Sequence, residues 1–157
     1  MIVPGDVLDS LRGGLSLLVA SCDAHGRPAC ARGVGVRIWD DREHVTLFLP
    51  DATARATGDN LIQRPRVAFV MSRPHDYRTV QMKGLALRVR QAADTDRACV
   101  EAFVNAFAEL VDGLGVPRSI ALRVNHWPCL AIDVAIEDIF LQTPGPGAGA
   151  PLSELPP

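Results

Sequence analysis

Short apolar runs separated by turn sequences recur along most of the chain. The first run, "LSLLVASC", is followed by the turn sequence "DAHGRP" and then by "ACARGVGVRIW", a pattern that predicts a β-hairpin. Four more runs of this type follow, so that the sequence predicts six strands. They span residues 15–22, 29–39, 44–49, 66–72, 77–92 and 129–142.

Three segments have the spacing of helices. The clearest is 94–115, where apolar residues recur every three or four positions, Asp94 or Thr95 provides an N-cap and Gly113 ends the helix. A short helix is predicted over 4–12, and another from Ala54 to Arg64, where Pro65 ends it. Hairpin-linked strands at short spacing favour an antiparallel sheet that closes into a small barrel, and they exclude a doubly wound parallel sheet.

The ends of the chain and its overall charge narrow the possible classes of function. A net charge of −2 gives no electrostatic footprint for nucleic acid or for an anionic membrane, so we expect neither as a partner. The N-terminus lacks the pattern of a secretory signal, and no apolar run reaches the ~18 residues that span a bilayer. We therefore expect a cytoplasmic protein. The segment 143–157 is too rich in Pro and Gly for regular structure, so we treat it as a tail.

The familiar catalytic and metal-binding signatures are missing. The chain has no G-x-S-x-G, H-E-x-x-H or P-loop motif, and its four histidines are isolated beside turn residues or proline. Its four cysteines form no C-x-x-C pair and have no histidine at ligand spacing, so we expect no metal site.

Arginines and hydroxyl groups are the candidates for ligand binding. In "ARGVGVR", Arg32 and Arg37 are five residues apart, so on a regular strand they point to opposite faces. A bulge at Gly33 or Gly35 would bring them to one face. Both glycines would also leave room for a flat molecule against the strand.

A second candidate lies in "TARAT", which we expect to form the last loop residues and the first turn of a helix. Thr53, Arg55 and Thr57 would there accompany free backbone N–H groups and the positive end of the helix dipole, an arrangement that favours phosphate. A plain helix cap with a surface charge is the alternative.

Together these stretches resemble the pyridoxamine 5'-phosphate oxidase-like family of FMN-binding split barrels. The resemblance rests on "GRPACARGVGVR", "TARATGDNLIQRPRVAFV", "YRTVQMKGLALRV" and "DIFLQTPGPGAG". It implies a mainly β (α+β) fold: a six-stranded antiparallel split β-barrel with a short N-terminal helix, a helix after strand 3 and a long helix after strand 5. Residues 1–142 would form this domain, and a homodimer would hold FMN at its interface.

The resemblance also implies roles for individual residues. The FMN phosphate would be held by the second strand and by the start of the helix, while polar groups of strand five, which share one face by alternation, would lie near the flavin ring. Trp127 would stack on the ring or serve as a core or interface aromatic. The implied cofactor-binding set is Arg32, Gly33, Val34, Arg37, Thr53, Arg55, Thr57, Thr79, Gln81, Lys83 and Trp127.

Two departures from the family pattern shape the expected function. Thr57 stands where a lysine is common, and the long C-terminal segment that reads pyridoxal phosphate in the true oxidase has no counterpart. We therefore expect an FMN-dependent oxidoreductase of unknown small-molecule substrate, with NAD(P)H as a candidate electron donor. The alternatives are a deazaflavin-dependent reductase, a non-catalytic flavin- or haem-binding module, and a structural dimer that has lost its cofactor.

Overall fold

Seven antiparallel strands form one continuous sheet in the computed structural model, which describes residues 1–154. The last three residues of the predicted tail, 155–157, lie outside the described part. In chain order the strands are β1 (Ser16–Cys22), β2 (Pro28–Gly33), β3 (Gly35–Ile38), β4 (His44–Pro50), β5 (Arg66–Ser72), β6 (Thr79–Gln91) and β7 (Cys129–Leu141).

The seventh strand arises because the predicted strand 29–39 is interrupted. Regular pairing stops at Val34, so the segment becomes β2, which pairs with β1, and β3, which pairs with β4. The sheet order is β2-β1-β5-β6-β7-β4-β3. Since β2 and β3 stand at the two ends of this order yet are joined through Val34, the sheet closes on itself as a barrel. The prediction of six strands was wrong because the predicted strand 29–39 is two strands, β2 and β3.

Within residues 1–154, four α-helices accompany the barrel: α1 (Gly5–Ser10), α2 (Asp51–Gln63), α3 (Arg97–Asp112) and α4 (Arg118–Ala121). A 3₁₀ turn at Asp94–Asp96 precedes α3, so the predicted helix 94–115 is shorter and begins differently. The predicted start of α2 at Ala54 was also wrong. The helix begins three residues earlier, directly after Pro50, because proline fixes its own φ angle and no loop separates β4 from α2.

Two apolar clusters fill the molecule. The larger lies inside the barrel and includes Leu17, Leu47, Phe69, Met82 and Ile132, each at most 1% exposed. The smaller lies outside the barrel, where α3 packs on β3, β4 and β7. Its members are Val34, Phe48, Val100, Val104, Cys129 and Ala131.

The segment after β7 folds back on the sheet, although we expected no regular structure there. Pro151 forms an antiparallel bridge with Phe140, and Leu152 packs against the core inside the barrel. Gly149, with a φ of 89°, allows the reversal. Within residues 1–154, no helix combines the length and the apolar character needed to cross a bilayer.

Candidate functional site

The outer surface of the barrel has two halves that differ in what lies on them. The covered half comprises the outward residues of β3, of β4 and of the first part of β7, residues 129–133, on which α3 packs. The open half comprises the outward residues of β2, β1, β5 and the first part of β6, residues 79–83, and none of these outward side chains is buried. Its residues are Cys30, Arg32, Ser16, Leu18, Ala20, Ala68, Val70, Ser72, Thr79, Gln81 and Lys83.

The break at Val34 brings both arginines of "ARGVGVR" to the outside of the barrel, Arg32 in the open half and Arg37 in the covered half. Val34 packs under α3 and a Cβ on Gly35 would meet Phe48 of the same cluster, so two consecutive residues face outward. Arg32 and Arg37 are accordingly both exposed on the outside of the barrel. The irregularity at Val34 and Gly35 thus has the effect that the sequence analysis assigned to a bulge at Gly33 or Gly35.

In the covered half, Arg37 is neutralised by an acidic residue that sequence reasoning missed. Its guanidinium donates to Asp96 at 2.9 Å, and Arg90 donates to the other carboxylate oxygen at 2.8 Å. The backbone N–H of Ala93 also donates to Asp96, whose side chain is only 5% exposed. Burial alone would raise the pKa of Asp96, but the hydrogen bonds from Arg90, Ala93 and Arg37 outweigh it and lower that pKa.

A row of polar contacts continues this network across the covered half. Trp39 donates its indole N–H to Thr46 at 3.0 Å, and Thr46 donates to Asp133 at 2.8 Å. Asp133 in turn lies 3.8 Å from Arg90. The charges of Arg37, Arg90, Asp96 and Asp133 therefore face opposite charges, and the network ties the start of α3 to the sheet.

In the open half, two cations have no carboxylate partner among the described side chains. The guanidinium of Arg32 lies over the ring of Phe107, with 4.7 Å between Cζ and the ring centroid. The ammonium of Lys83 lies 4.4 Å from the ring centroid of Phe140. Aromatic contacts orient both groups without cancelling their charge, so both remain able to attract an anion.

Thr79, Gln81 and Lys83 lie on one face of β6, as strand alternation predicts. The hydroxyl of Thr79 donates to the carbonyl of Tyr77 and therefore accepts the 2.8 Å hydrogen bond from the hydroxyl of Ser72. Gln81 is half-buried and contacts Gln142 at 3.5 Å. These groups offer neutral hydrogen bonding beside the one lysine of the chain.

A bulge beside Lys83 opens a cavity of about 300 Å³ on the open half. Lys83 pairs with Asp138 and Gly84 with Ile136, so Glu137 is the extra residue on β7. Glu137 and Asp138 consequently both line the cavity, and Arg66 holds Glu137 in an ion pair of 2.7 Å. Ala20 and Ala68, opposite each other on β1 and β5, line the same cavity with small side chains.

The start of α2 does not gather the three side chains that "TARAT" suggested. Because α2 begins at Asp51, successive members of this set are about 200° apart around the helix. Arg55, with its side chain 93% exposed, points away from the barrel, whereas Thr57 is 1% exposed and faces it. Thr53 is exposed in the first turn.

Acidic groups also occupy the neighbourhood where a phosphate was expected. Asp51 lies in the first turn, and its N–H already donates to the carbonyl of Pro128 at 3.1 Å. Arg55 has a carboxylate four residues before it and another four residues after it, Asp59, at 4.0 Å. The local charge of these three side chains is negative, which opposes phosphate binding there.

The room expected beside the two strand glycines is filled by the protein. A Cβ on Gly33 would collide with the side chain of Leu17, and one on Gly35 would lie 2.9 Å from Phe48. The glycines therefore permit close packing of the barrel itself. Val34 is 3% exposed beneath α3.

Trp127 lies in the covered half. It packs against the smaller apolar cluster, and the guanidinium of Arg97 covers its ring at 4.6 Å. Within one subunit it is thus a packing aromatic, and its stacking on a flavin stays a prediction about the dimer.

Sequence reasoning missed two residues that contact the predicted arginines: Asp96, which pairs with Arg37, and Phe107, whose ring lies under Arg32. Asp96 was seen only as part of a helix start, and its pairing with Arg37 joins positions 59 residues apart. Phe107 carried a visible signal, since it belongs to the apolar stripe of the long helix. Its contact with Arg32 depends on how α3 crosses the barrel, which no local pattern specifies.

Comparison with known proteins gives structural matches alone. No family model and no curated protein sequence matches the chain. Among solved structures, HupZ of Group A Streptococcus aligns with a TM-score of 0.57 at 18% identity, over 94% of this chain and 100% of that one. A candidate pyridoxamine 5'-phosphate oxidase from Lactobacillus delbrueckii gives 0.54 at 14% identity, over 88% and 93%. An F420 reductase gives 0.50 at 19% identity, over 87% and 98%.

These alignments cover almost the whole described barrel and its helices. The chain has the split-barrel fold of the pyridoxamine 5'-phosphate oxidase-like proteins. The resemblance seen in the sequence is therefore confirmed for the fold. At such low identity the fold carries no function with it.

Proposed function

We propose that this protein is an FMN-binding oxidoreductase that works as a homodimer and holds the flavin on its open half. One observation carries the proposal: an uncovered sheet face bears two cations that form no ion pair with a described carboxylate, Arg32 and Lys83. Neutral polar groups lie beside Lys83, as does Asp138, its register partner on β7. Here aromatic rings hold both on a surface that the chain itself leaves free.

The dimensions and chemistry of the open half fit an elongated anion with a polar ring. Arg32, Leu18, Val70 and Gln81 stand opposite one another in register across four strands. Three strand spacings therefore separate Arg32 from Gln81, about 14 Å. We place the phosphate of FMN at Arg32 and its ring beside Gln81 and Lys83. Arg37, Arg55 and Thr57 fit the phosphate poorly, since two are flanked by acids and one is buried.

The second subunit would cover the open half. Leu18, at the centre of this surface, is 47% exposed, and its neighbours Ala20, Ala68 and Val70 are only partly buried. Homodimer interfaces are more apolar than the rest of a protein surface, so this apolar centre suits contact with a second copy of the chain. A dimer would also shield the flavin from water on one side.

When bound, FMN supplies the hydride or electron transfer. The protein then has three tasks. Arg32 would bind the phosphate, the amide of Gln81 and the hydroxyl of Thr79 would form hydrogen bonds with the ring, and Lys83 would add a positive charge beside it. NAD(P)H is the electron donor we would test first.

A deazaflavin is the second candidate, because an F420 reductase shares the fold. The F420 cofactor carries a longer acidic tail than FMN. On the open half, Arg32 and Lys83 are the unpaired cations among the described side chains, since Arg66 is bound to Glu137. Two cations suit the shorter cofactor better.

The decisive experiment is to purify the protein, inspect it for a yellow chromophore and titrate the colourless form with FMN. We expect saturable quenching of flavin fluorescence, with riboflavin binding more weakly because it lacks the phosphate. Mass spectrometry of the released cofactor would distinguish FMN from a deazaflavin. A colourless protein that takes up neither would overturn the proposal. Turnover with NAD(P)H and common acceptors would separate an enzyme from a binding module.

A further inference from the structure

A second cavity lies at the end of the barrel where β6 begins. It has a volume of about 370 Å³, within the range of pockets that hold small molecules. Three separate parts of the chain build it: α1, the start of β6 with the residue before it, and the end of β7 with the segment that follows. It adjoins the open half through Thr79, which belongs to both.

The segment after β7 is held in place to form one wall of this cavity. The backbone N–H of Thr79 donates to the hydroxyl of Thr143 at 3.0 Å, and the N–H of Gln142 donates to the carbonyl of Thr79 at 2.8 Å. Further along, the N–H of Leu141 donates to the carbonyl of Ala150 at 3.0 Å. This return brings Leu152 onto the cavity wall and against the core.

The lining specifies the chemistry of a ligand. Four apolar side chains provide most of the wall: Val7, Val80, Leu141 and Leu152. Val7 and Val80 are each only 5% exposed, so these walls are parts of the core. Thr143 and Thr79 add hydroxyl oxygens that retain capacity to accept a hydrogen bond. Asp6 and Arg78 stand among the lining residues and are both exposed.

We propose that this cavity binds the second reactant of the flavin site, a small and mainly apolar molecule with one hydrogen-bond donor, such as a hydroxyl group. Its role as a reactant site rests on the proposed function, because Thr79 links it to the surface where we place the flavin ring. The binding itself does not depend on a cofactor. The tail that looked irregular in the sequence is then a specificity element.

The test uses the cofactor-free full-length protein with p-cresol as the probe and toluene as its donor-free counterpart, followed by NMR. We expect saturable shifts at Val80 and Leu141 with p-cresol. Leu152→Trp, which fills the cavity, should weaken p-cresol binding at least tenfold, whereas Leu114→Trp, at a position 52% exposed in the turn that follows α3, should not.

A second variant keeps the volume and removes the hydroxyl. Thr143→Val should weaken p-cresol binding about two- to tenfold and leave toluene unchanged, as expected for one hydrogen bond. Shifts that do not saturate, or equal binding to Leu152→Trp and Leu114→Trp, would overturn the proposal. If p-cresol binds as expected but FMN does not, the flavin proposal fails and with it the role of the cavity as a reactant site, whereas its binding of a small apolar molecule stands. If FMN binds and p-cresol does not, only the cavity proposal fails.

Discussion

One strand segment contributes an arginine to each half of the barrel surface, and the two arginines have opposite surroundings. Arg37 shares Asp96 with Arg90 beneath the start of α3, whereas Arg32 rests on the ring of Phe107 with no acid beside it among the described residues. Both look alike in the sequence. The covered half uses its charges to fasten a helix to the sheet, and the open half leaves its charges for a ligand.

We expect the covered half to contribute mainly to the stability of the fold and the open half mainly to association and ligand binding. Every outward polar group of the covered half that we describe has a partner in the chain, so a substitution there should lower stability first. The open half contributes little to the core, and Leu18 and Arg32 are both exposed. Substitutions there should change association and ligand affinity while leaving the fold intact. Four experiments test this division.

The largest effect is expected from Leu18→Asp, at the centre of the open half. A two-fold axis would bring two such carboxylates together in the interface, and juxtaposed like charges cost several kcal/mol, about 4 kcal/mol here or roughly a thousandfold in dimer affinity. We expect a folded monomer by sedimentation, with an unchanged far-UV spectrum. Ile62→Asp, at a position 70% exposed on α2, is the control. A stable dimer of the Leu18 variant would place the interface elsewhere.

Asp96→Ala should have the next largest effect, on stability alone. Removing the shared acceptor leaves Arg37 and Arg90 facing each other and the N–H of Ala93 without its partner. Because both arginines keep some contact with water, we expect the lower end of the range for a broken buried pair, about 3 kcal/mol. Urea unfolding measures the loss. Flavin affinity of the folded protein should remain unchanged, and a parallel loss of affinity would show that the two halves are coupled.

Arg32→Ala should have the opposite effect to Asp96→Ala: lower FMN affinity with unchanged stability. A charge-assisted contact to phosphate is worth about 1.5–3 kcal/mol, so FMN affinity should fall roughly ten- to hundredfold. Riboflavin affinity and stability should barely change, because the guanidinium has no other charged partner among the described side chains. Arg55→Ala, whose arginine stands between two acids, should have a smaller effect, and Arg118→Ala none. Equal FMN affinity in all three variants would place the phosphate elsewhere.

The sequence predicted the strands well because each element carries its own signal. Alternation, turn residues and the apolar stripe of α3 are local patterns, and they placed most strand boundaries within a residue or two. The break at Val34 was missed as a boundary because glycines within a strand signal either a bulge or a close approach, and here they mark both. The position of α2 shifted because Pro50 can end a strand and precede a helix equally well.

The candidate site was less predictable because its character depends on contacts between distant positions. Thr79, Gln81 and Lys83 share a face by alternation, a property that a single strand determines. The state of Arg37 depends on Asp96, and that of Arg32 on Phe107, both across more than 50 residues of chain. The orientation of Arg55 depended on one local fact, the first residue of α2, and a shift of three positions was enough to change it.

The smallest and most specific test concerns the pH dependence of the covered half. The pKa of Asp96 is lowered in the folded protein from its ordinary value of 3.8, so the unfolded chain binds a proton at higher pH than the folded one. The stability that this carboxylate contributes is therefore fully present above about pH 4 and is lost as the pH falls through the lower, folded pKa.

Asp23, Asp41 and Asp76 also have lowered pKa values. Asp96→Asn leaves those three unchanged, so the difference in urea stability between the two proteins isolates Asp96. We expect that difference to be constant from pH 5 to 7 and to shrink below pH 4 as Asp96 becomes protonated. A difference that stays constant down to pH 2.5 would mean that the ionised form of Asp96 does not hold the two arginines, and that the covered half is fastened by packing alone.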